Sequence, residues 1–204
     1  MKLRYSATSP YVRKVVVLAL ETGLDARIER VPTAAAPTKA NPEIAAENPL
    51  AKVPSLTTDD GQHLYDSPVI CEYLDSLHDG ARAFPTPGPL RWTALRQQAL
   101  ADGILDAALL IRYEMSRPAD RQWADWSAGQ KRKVTQALDA LEAEASRLGD
   151  QVTIGTIAIG CALGYLDFRF AADDWRRGRP TLAAWYEKFA ARPSMAATQP
   201  KDPA

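Results

Sequence analysis

With only two cysteines in 204 residues, at positions 71 and 161, the chain has no CxxC pair, so neither a disulfide framework nor a thiolate zinc site is expected. Neither sign of charge is in excess. Lys+Arg and Asp+Glu stand at 25 each, so no broad basic surface for nucleic acid or an anionic membrane is expected. Long apolar runs are missing too. The longest, Ile154 to Leu166, is interrupted by Thr156 and falls short of the roughly 20 residues that span a bilayer. The opening MKLRYSATSPYVRK carries charge where a secretory leader needs an apolar stretch, so a soluble, cytoplasmic protein is expected. What remains is an ordinary globular composition, 46% hydrophobic and 25% charged, on a chain long enough for one large domain or two small ones.

The two halves differ in pattern. Up to about Leu77, short strand-like and helix-like pieces alternate. Lys2 to Tyr5 reads as a strand. Pro10 to Leu20 reads as a helix with Val12, Val15, Val16, Ala19 and Leu20 apolar and Gly23 at its C-cap. Ala26 to Val31 alternates as a strand, and a weak helical piece lies around Glu43 to Glu47. Val53 to Thr57 and His63 to Tyr65 flank Asp59-Asp60-Gly61, a hairpin signal. Ser67 to Leu77 closes this half as a helix with Ile70, Tyr73, Leu74 and Leu77 on one face. Residues 79–88 are a Pro/Gly-rich linker, and beyond it only helices are expected, near 90–116, 128–148, 154–171 and 180–191. This gives domains at 1–78 and 89–204, the last from Thr198 onward a frayed polar tail.

Three motifs carry chemistry. In Thr8-Ser9-Pro10-Tyr11, Ser9 is a good N-cap and Pro10 suits the first helical position. That is first of all a well-made helix start; the same geometry also suits a site where free amides, the helix dipole and a donated hydroxyl stabilise a thiolate. In Asn48 to Leu56, Pro54 opens a strand directly after a loop and is a candidate cis proline. The backbone of Val53 would then face outward to pair with a peptide-like ligand, and Lys52 could meet a carboxylate; a plain strand entry fits the spacing as well. In Tyr65-Asp66-Ser67-Pro68, Ser67 resembles an N-cap. Its free amides suit an α-carboxylate and Asp66 an ammonium, against the alternative of an ordinary capped helix.

Taken together, in this order and spacing, the three motifs resemble the glutathione S-transferase family over essentially the whole chain. The resemblance implies an α/β thioredoxin-like N-terminal domain and an all-α C-terminal domain. It also implies that Ser9 holds the thiol of glutathione and acts as the catalytic residue. Lys52, Val53 and Pro54 would hold the glycine carboxylate and cysteinyl backbone, and Asp66 and Ser67 the γ-glutamyl group. Asp102 would reach across a homodimer to the partner's γ-glutamyl ammonium. The expected chemistry is attack of the thiolate on a small electrophile, in the manner of a detoxifying transferase. Glutathione would be a co-substrate, with no metal and no other cofactor. Glutaredoxins carry two cysteines where this chain has Ser9-Pro10-Tyr11-Val12, so dithiol exchange has no attacking sulfur. Tyr5 and Thr8 remain alternative hydroxyls. A glutathione-dependent isomerase or reductase, and a non-catalytic glutathione-binding protein, remain alternative functions.

In the helical half, Asp102 and Asp106 lie four apart on one face with no histidine near them, which suits a polar face turned into a cleft. The acceptor pocket is expected from Tyr11, the 32–37 loop and the 105–117 helix, with Leu109, Leu110, Arg112, Tyr113 and Arg117. Cys71, Cys161 and most of the five tryptophans are expected to pack. Arg13 is expected to be structural, as is Arg169, which can pair with acids around Asp167 and Asp173. Thr153-Ile154-Gly155-Thr156 matches the family's capping box with Thr156 in place of the acid.

Overall fold

The computed structural model describes residues 1–202. It opens with β1 (Lys2–Tyr5), α1 (Pro10–Glu21), β2 (Glu29–Pro32), α2 (Pro42–Glu47), β3 (Ser55–Thr57), β4 (His63–Leu64) and α3 (Ser67–Ser76). The sheet order is β2-β1-β3-β4, with β1 parallel to β2 and antiparallel to β3. Alternation along β1 decides what each face receives. Leu3 is fully buried in the core with Val12, Val15, Ile70 and Leu74 of α1 and α3. Arg4 points the other way and pairs with Glu47 of α2, with Nη2 2.6 Å from the carboxylate. A small mixed sheet with helices on both faces is the thioredoxin-like half expected from the sequence.

The rest is helical: α4 (Pro89–Met115), α5 (Ala124–Glu144), α6 (Ile154–Arg169), α7 (Pro180–Ala190) and α8 (Pro193–Ala197). The apolar run noted in the sequence is the central helix, α6, buried at every residue from Ile154 to Leu166. Its glycines allow neighbours to approach closely. A Cβ at Gly155 would fall 2.8 Å from the Ala94 carbonyl oxygen of α4. The same helix starts on the capping box read from the sequence. The Thr153 N–H donates to Thr156 Oγ1 at 2.8 Å and the Thr156 N–H donates back to Thr153 Oγ1 at 3.2 Å. A hydroxyl thus replaces the usual acid and also donates to the Gln151 carbonyl at 3.0 Å.

The structure corrects several local expectations. Residues Asp25–Arg27 form a short 3-10 turn, which delays β2 to Glu29. The helix expected at 128–148 starts at Ala124. The cap of α3 falls on Asp66, with Ser67 as the first helical residue. The tail from Thr198 is described through residue 202, its last residues exposed and without regular structure; Pro203 and Ala204 lie outside the described residues. Thr198 Oγ1 donates to the Ser194 carbonyl, and Asp202 pairs with Arg169 at 2.7 Å. Arg169 is therefore structural as expected, but Asp202 takes it; Asp167 and Asp173 go to Arg176 and Lys131.

Candidate functional site

Strand register explains why three motifs far apart in sequence share one end of the sheet. Arg4 lies opposite Ser55 on β3, so the end of β1, which leads into Ser9, runs beside Val53-Pro54. Leu64 lies opposite Leu56, so the end of β4, which leads into Asp66-Ser67, runs beside the start of the same strand. The N-termini of α1 and α3 and the Val53-Pro54 segment therefore converge. The Val53-Pro54 peptide is cis, as the sequence indicated, and so is Tyr65-Asp66, which it did not indicate.

Ser9 caps α1 as its position implies. Its backbone is extended (φ −82°, ψ 119°) and its Oγ accepts from the Val12 N–H at 3.3 Å. Accepting that bond leaves the Ser9 O–H free to donate to a ligand atom placed before the helix. The Tyr11 N–H has no partner among the described residues, so one donor also opens toward that point. Of the competing hydroxyls, Thr8 Oγ1 lies 3.2 Å from Ser6 Oγ, while at Tyr5 it is the ring, not the hydroxyl, that meets a neighbour, the Arg30 guanidinium 5.7 Å from its centroid.

At the second and third motifs, Lys52 and Asp66 are exposed, Val53 is half-buried, and Pro54 and Ser67 are buried. No backbone bond to the Val53 N–H or C=O falls among the described residues, which leaves both groups open for pairing. Asp66 makes no capping bond with its side chain, so its carboxylate is not consumed by its own helix.

Asp102 is paired within its own chain. The Lys14 ammonium, completely buried, donates to both Asp102 carboxylate oxygens at 2.7 Å within one chain. Burial pushes the Asp102 carboxyl above its usual value, Lys14 opposes this, and the like charges of Asp106 and Asp66 add to the rise. One turn further along α4, Asp106 accepts from the Tyr11 hydroxyl. Burial and that bond push the Tyr11 phenol far above its ordinary value, so it stays protonated. Two tethers thus join the first turns of α1 to one face of α4.

Of the groups expected at the acceptor pocket, the 32–37 loop (through Pro37), Leu110, Tyr113 and Arg117 meet at one cleft, while Tyr11, Leu109 and Arg112 do not line it. This cleft of about 620 Å³ is lined by Pro37, Leu110, Tyr113, Arg117, Trp123 and Trp126 among others. Tyr113 lies in it, Tyr11 is held by Asp106, Leu109 packs against the core, and Arg112 is exposed outside its lining. Most of the five tryptophans were expected in the core or at an interface; in the single chain Trp92, Trp123 and Trp126 are 69%, 62% and 40% exposed. Trp175 and Trp185 are buried as expected, as are both cysteines. Burial pushes the Cys71 thiol up to about 12 and Cys161 up to about 11, which keeps both protonated and unreactive. Arg13 is buried and structural, its Nη2 donating to the Met195 carbonyl at 3.0 Å. Among the described residues no group of three metal-ligating side chains comes together, and no helix is long and apolar enough to cross a membrane.

A thioredoxin-like sheet followed by a helical bundle, with a capped α1 beside a cis proline, is the two-domain architecture that the motifs' resemblance implied. Comparison with known proteins agrees. The glutathione S-transferase N-terminal domain model matches residues 8–77 and the C-terminal domain model matches residues 124–188. An uncharacterized GST-like protein, YibF of Escherichia coli, is 40% identical over 98% of this chain and 98% of its own length. A glutathione transferase family member from Pseudomonas fluorescens, solved with bound glutathione, is 45% identical. It superposes with a TM-score of 0.96 over 98% of this chain and 99% of that one. Another structure from that organism, with bound S-(propanoic acid)-glutathione, gives 45% identity and a TM-score of 0.92 over 99% and 100% of the two chains. The chain belongs to the glutathione S-transferase family.

Proposed function

We propose that this protein is a glutathione transferase whose Ser9 hydroxyl donates to the glutathione sulfur and holds it as a thiolate. The observation that carries the reading is the Ser9 cap. Its Oγ already accepts from Val12, its O–H remains available, and it lies at the positive end of α1. The peptide backbone of glutathione pairs with Val53 beside Pro54, and Lys52 takes the glycine carboxylate. The N-terminus of α3 at Ser67 receives the γ-glutamyl carboxylate, and Asp66 its ammonium. Asp102, occupied by Lys14, supports this end through its charge and its hold on α1 rather than by direct contact.

In the reaction the thiolate sulfur gives its electron pair to an electrophilic carbon and a C–S bond forms. A leaving group departs with the pair of the broken bond. Where the acceptor is a polarised double bond, the carbanion formed takes a proton from solvent. Each catalytic contribution here is positioning and charge stabilisation. That a relative binds an S-substituted glutathione supports a site with room beyond the sulfur. Glutathione is a co-substrate in this reading and no other cofactor takes part. The protein works in the cytoplasm in electrophile detoxification, as a homodimer. Support for pairing is the exposed Val69, Leu90 and Trp92, which bracket the Arg91–Glu72 ion pair linking α3 to α4.

Calorimetric titration with glutathione tests the binding half. Asp66→Asn and Ser67→Ala are each expected to weaken binding by about tenfold, the order of one charge-assisted hydrogen bond. Unchanged affinity in both would place the γ-glutamyl group elsewhere. Turnover with a panel of conjugation, isomerisation and peroxide substrates separates a transferase from an isomerase or reductase on the same scaffold.

A further inference from the structure

The cleft beside α4 has an unusual wall. Trp123 and Trp126 stack on each other, with ring centroids 6.3 Å apart and planes 25° apart, and both keep part of their surface open to solvent. Across the cleft lie Leu110 and Tyr113 of α4, with Pro37 from the loop after β2. The turn that carries the tryptophans is rigidly built. The carboxylate of Glu114, itself 8% exposed, accepts from the Trp123 N–H at 2.7 Å and from Arg117 at 3.2 Å. Gln122 Nε2 donates to the carbonyls of Met115 and Arg117 at 3.2 and 2.9 Å. A buried carboxylate spent on holding an exposed aromatic pair in place is preorganisation without an internal partner.

One face of α4 leads from the cleft back toward the end of the molecule that carries Ser9. Asp106, Leu110 and Tyr113 follow one another on a single face of α4, and Asp106 holds Tyr11, two residues from Ser9. From Asp106 to Tyr113 the helix advances roughly 10 Å. A short substituent on a sulfur at Ser9 ends before the tryptophans; an extended one reaches them. The cleft's volume, about 620 Å³, lies within the ordinary range for small-molecule sites.

Resting on the transferase reading, we propose that Trp123 and Trp126 form a stacking platform for the acceptor, which sets this enzyme's preference for extended planar aromatic electrophiles. The flat faces of the pair meet the acceptor's ring, and Tyr113 and Leu110 close over its other side. Glu114 is a positioning residue for the platform. Small aliphatic electrophiles react at Ser9 without touching it.

Stable S-conjugates test the proposal without depending on turnover. Calorimetry compares S-methylglutathione with S-(naphthylmethyl)glutathione on the wild-type protein and on Trp123→Ala and Trp126→Ala. The naphthyl conjugate is expected to bind about tenfold more tightly than the methyl one, the order of an aromatic contact plus buried ring area. Each alanine variant should remove most of that advantage and leave S-methylglutathione affinity unchanged, which also shows that the variant is folded. Equal affinity of the two conjugates for the wild type, or an advantage that survives both substitutions, overturns the platform while leaving glutathione binding intact. If neither conjugate binds, the glutathione reading fails, and this proposal fails with it.

Discussion

Replacing Lys14 with methionine isolates the contact on which the junction of α1 and α4 depends. The ammonium is completely buried and lies 2.7 Å from both oxygens of Asp102. Methionine keeps the length and apolar volume of the lysine stem, so little packing is lost. What remains is a carboxylate without its counter-ion, and breaking a buried pair in this way costs about 3–5 kcal/mol. Asp102 retains 19% of its side-chain exposure and can take up a proton, so the low end, about 3 kcal/mol, is expected. The pH dependence has a definite sign. Burial already raises the Asp102 carboxyl, and removing Lys14 removes the main opposing influence, so its folded value rises further. A group raised in the folded state contributes stability at low pH and loses it as pH rises through the folded value. The variant's deficit should therefore be largest at neutral pH and shrink on acidification. Urea unfolding at about pH 7 and about pH 5 measures both, and Asp102→Leu added to Lys14→Met should recover most of the loss. A single variant within about 1 kcal/mol of wild type at neutral pH, or a double variant no better than the single, would refute the assignment.

Three further expectations follow from the packing. Glu21 accepts from Arg192 at 2.8 and 2.9 Å, and this bond holds its carboxyl below the usual value. Its stabilising effect is present above the unfolded value and lost as pH falls through the folded one, so thermal melts of Glu21→Gln should lack part of the wild type's acid sensitivity. Gly164→Ala would set a Cβ 2.2 Å from Arg13 Nη1 and 2.8 Å from the Tyr186 hydroxyl. Displacing a buried guanidinium should lower stability by about 1–3 kcal/mol in denaturant titration, and a neutral result would mean that Arg13 repacks freely. Thr156→Val removes the hydroxyl that serves the Thr153 N–H and the Gln151 carbonyl, and should cost about 1–3 kcal/mol by the same assay.

Where the information was local, the sequence was enough. Ser9-Pro10 announces a helix start because a cap needs only its own hydroxyl and the amide three residues on, and the structure shows that bond. Pro54 stood out because a proline must open its strand. The same local logic slipped by one residue at α3, where Asp66 takes the cap position and Ser67 the first helical one. Lys14 was invisible for a physical reason. Its partner lies 88 residues away, and nothing in the sequence fixes which face of α1 meets α4. The signal was present nonetheless, since Arg13 and Lys14 interrupt the apolar run Val12 to Leu18 of a helix that is buried almost all round. Cations in such a place must find partners. The tryptophan pair was missed because three-residue spacing gives a shared face but not what lies opposite it; only the turn fixed by Glu114 decides that.

The central claim, a glutathione thiolate held by Ser9, is tested most directly by titrating the thiolate absorbance of bound glutathione. In the wild-type complex the thiol should ionise well below its free value of about 8.5. Ser9→Ala and Ser9→Gly should both move it back toward that value, the glycine variant with only a few tenths of a kcal/mol lost from the helix cap. A thiol that titrates alike in all three proteins would contradict the account and pass the role to Thr8 or Tyr5.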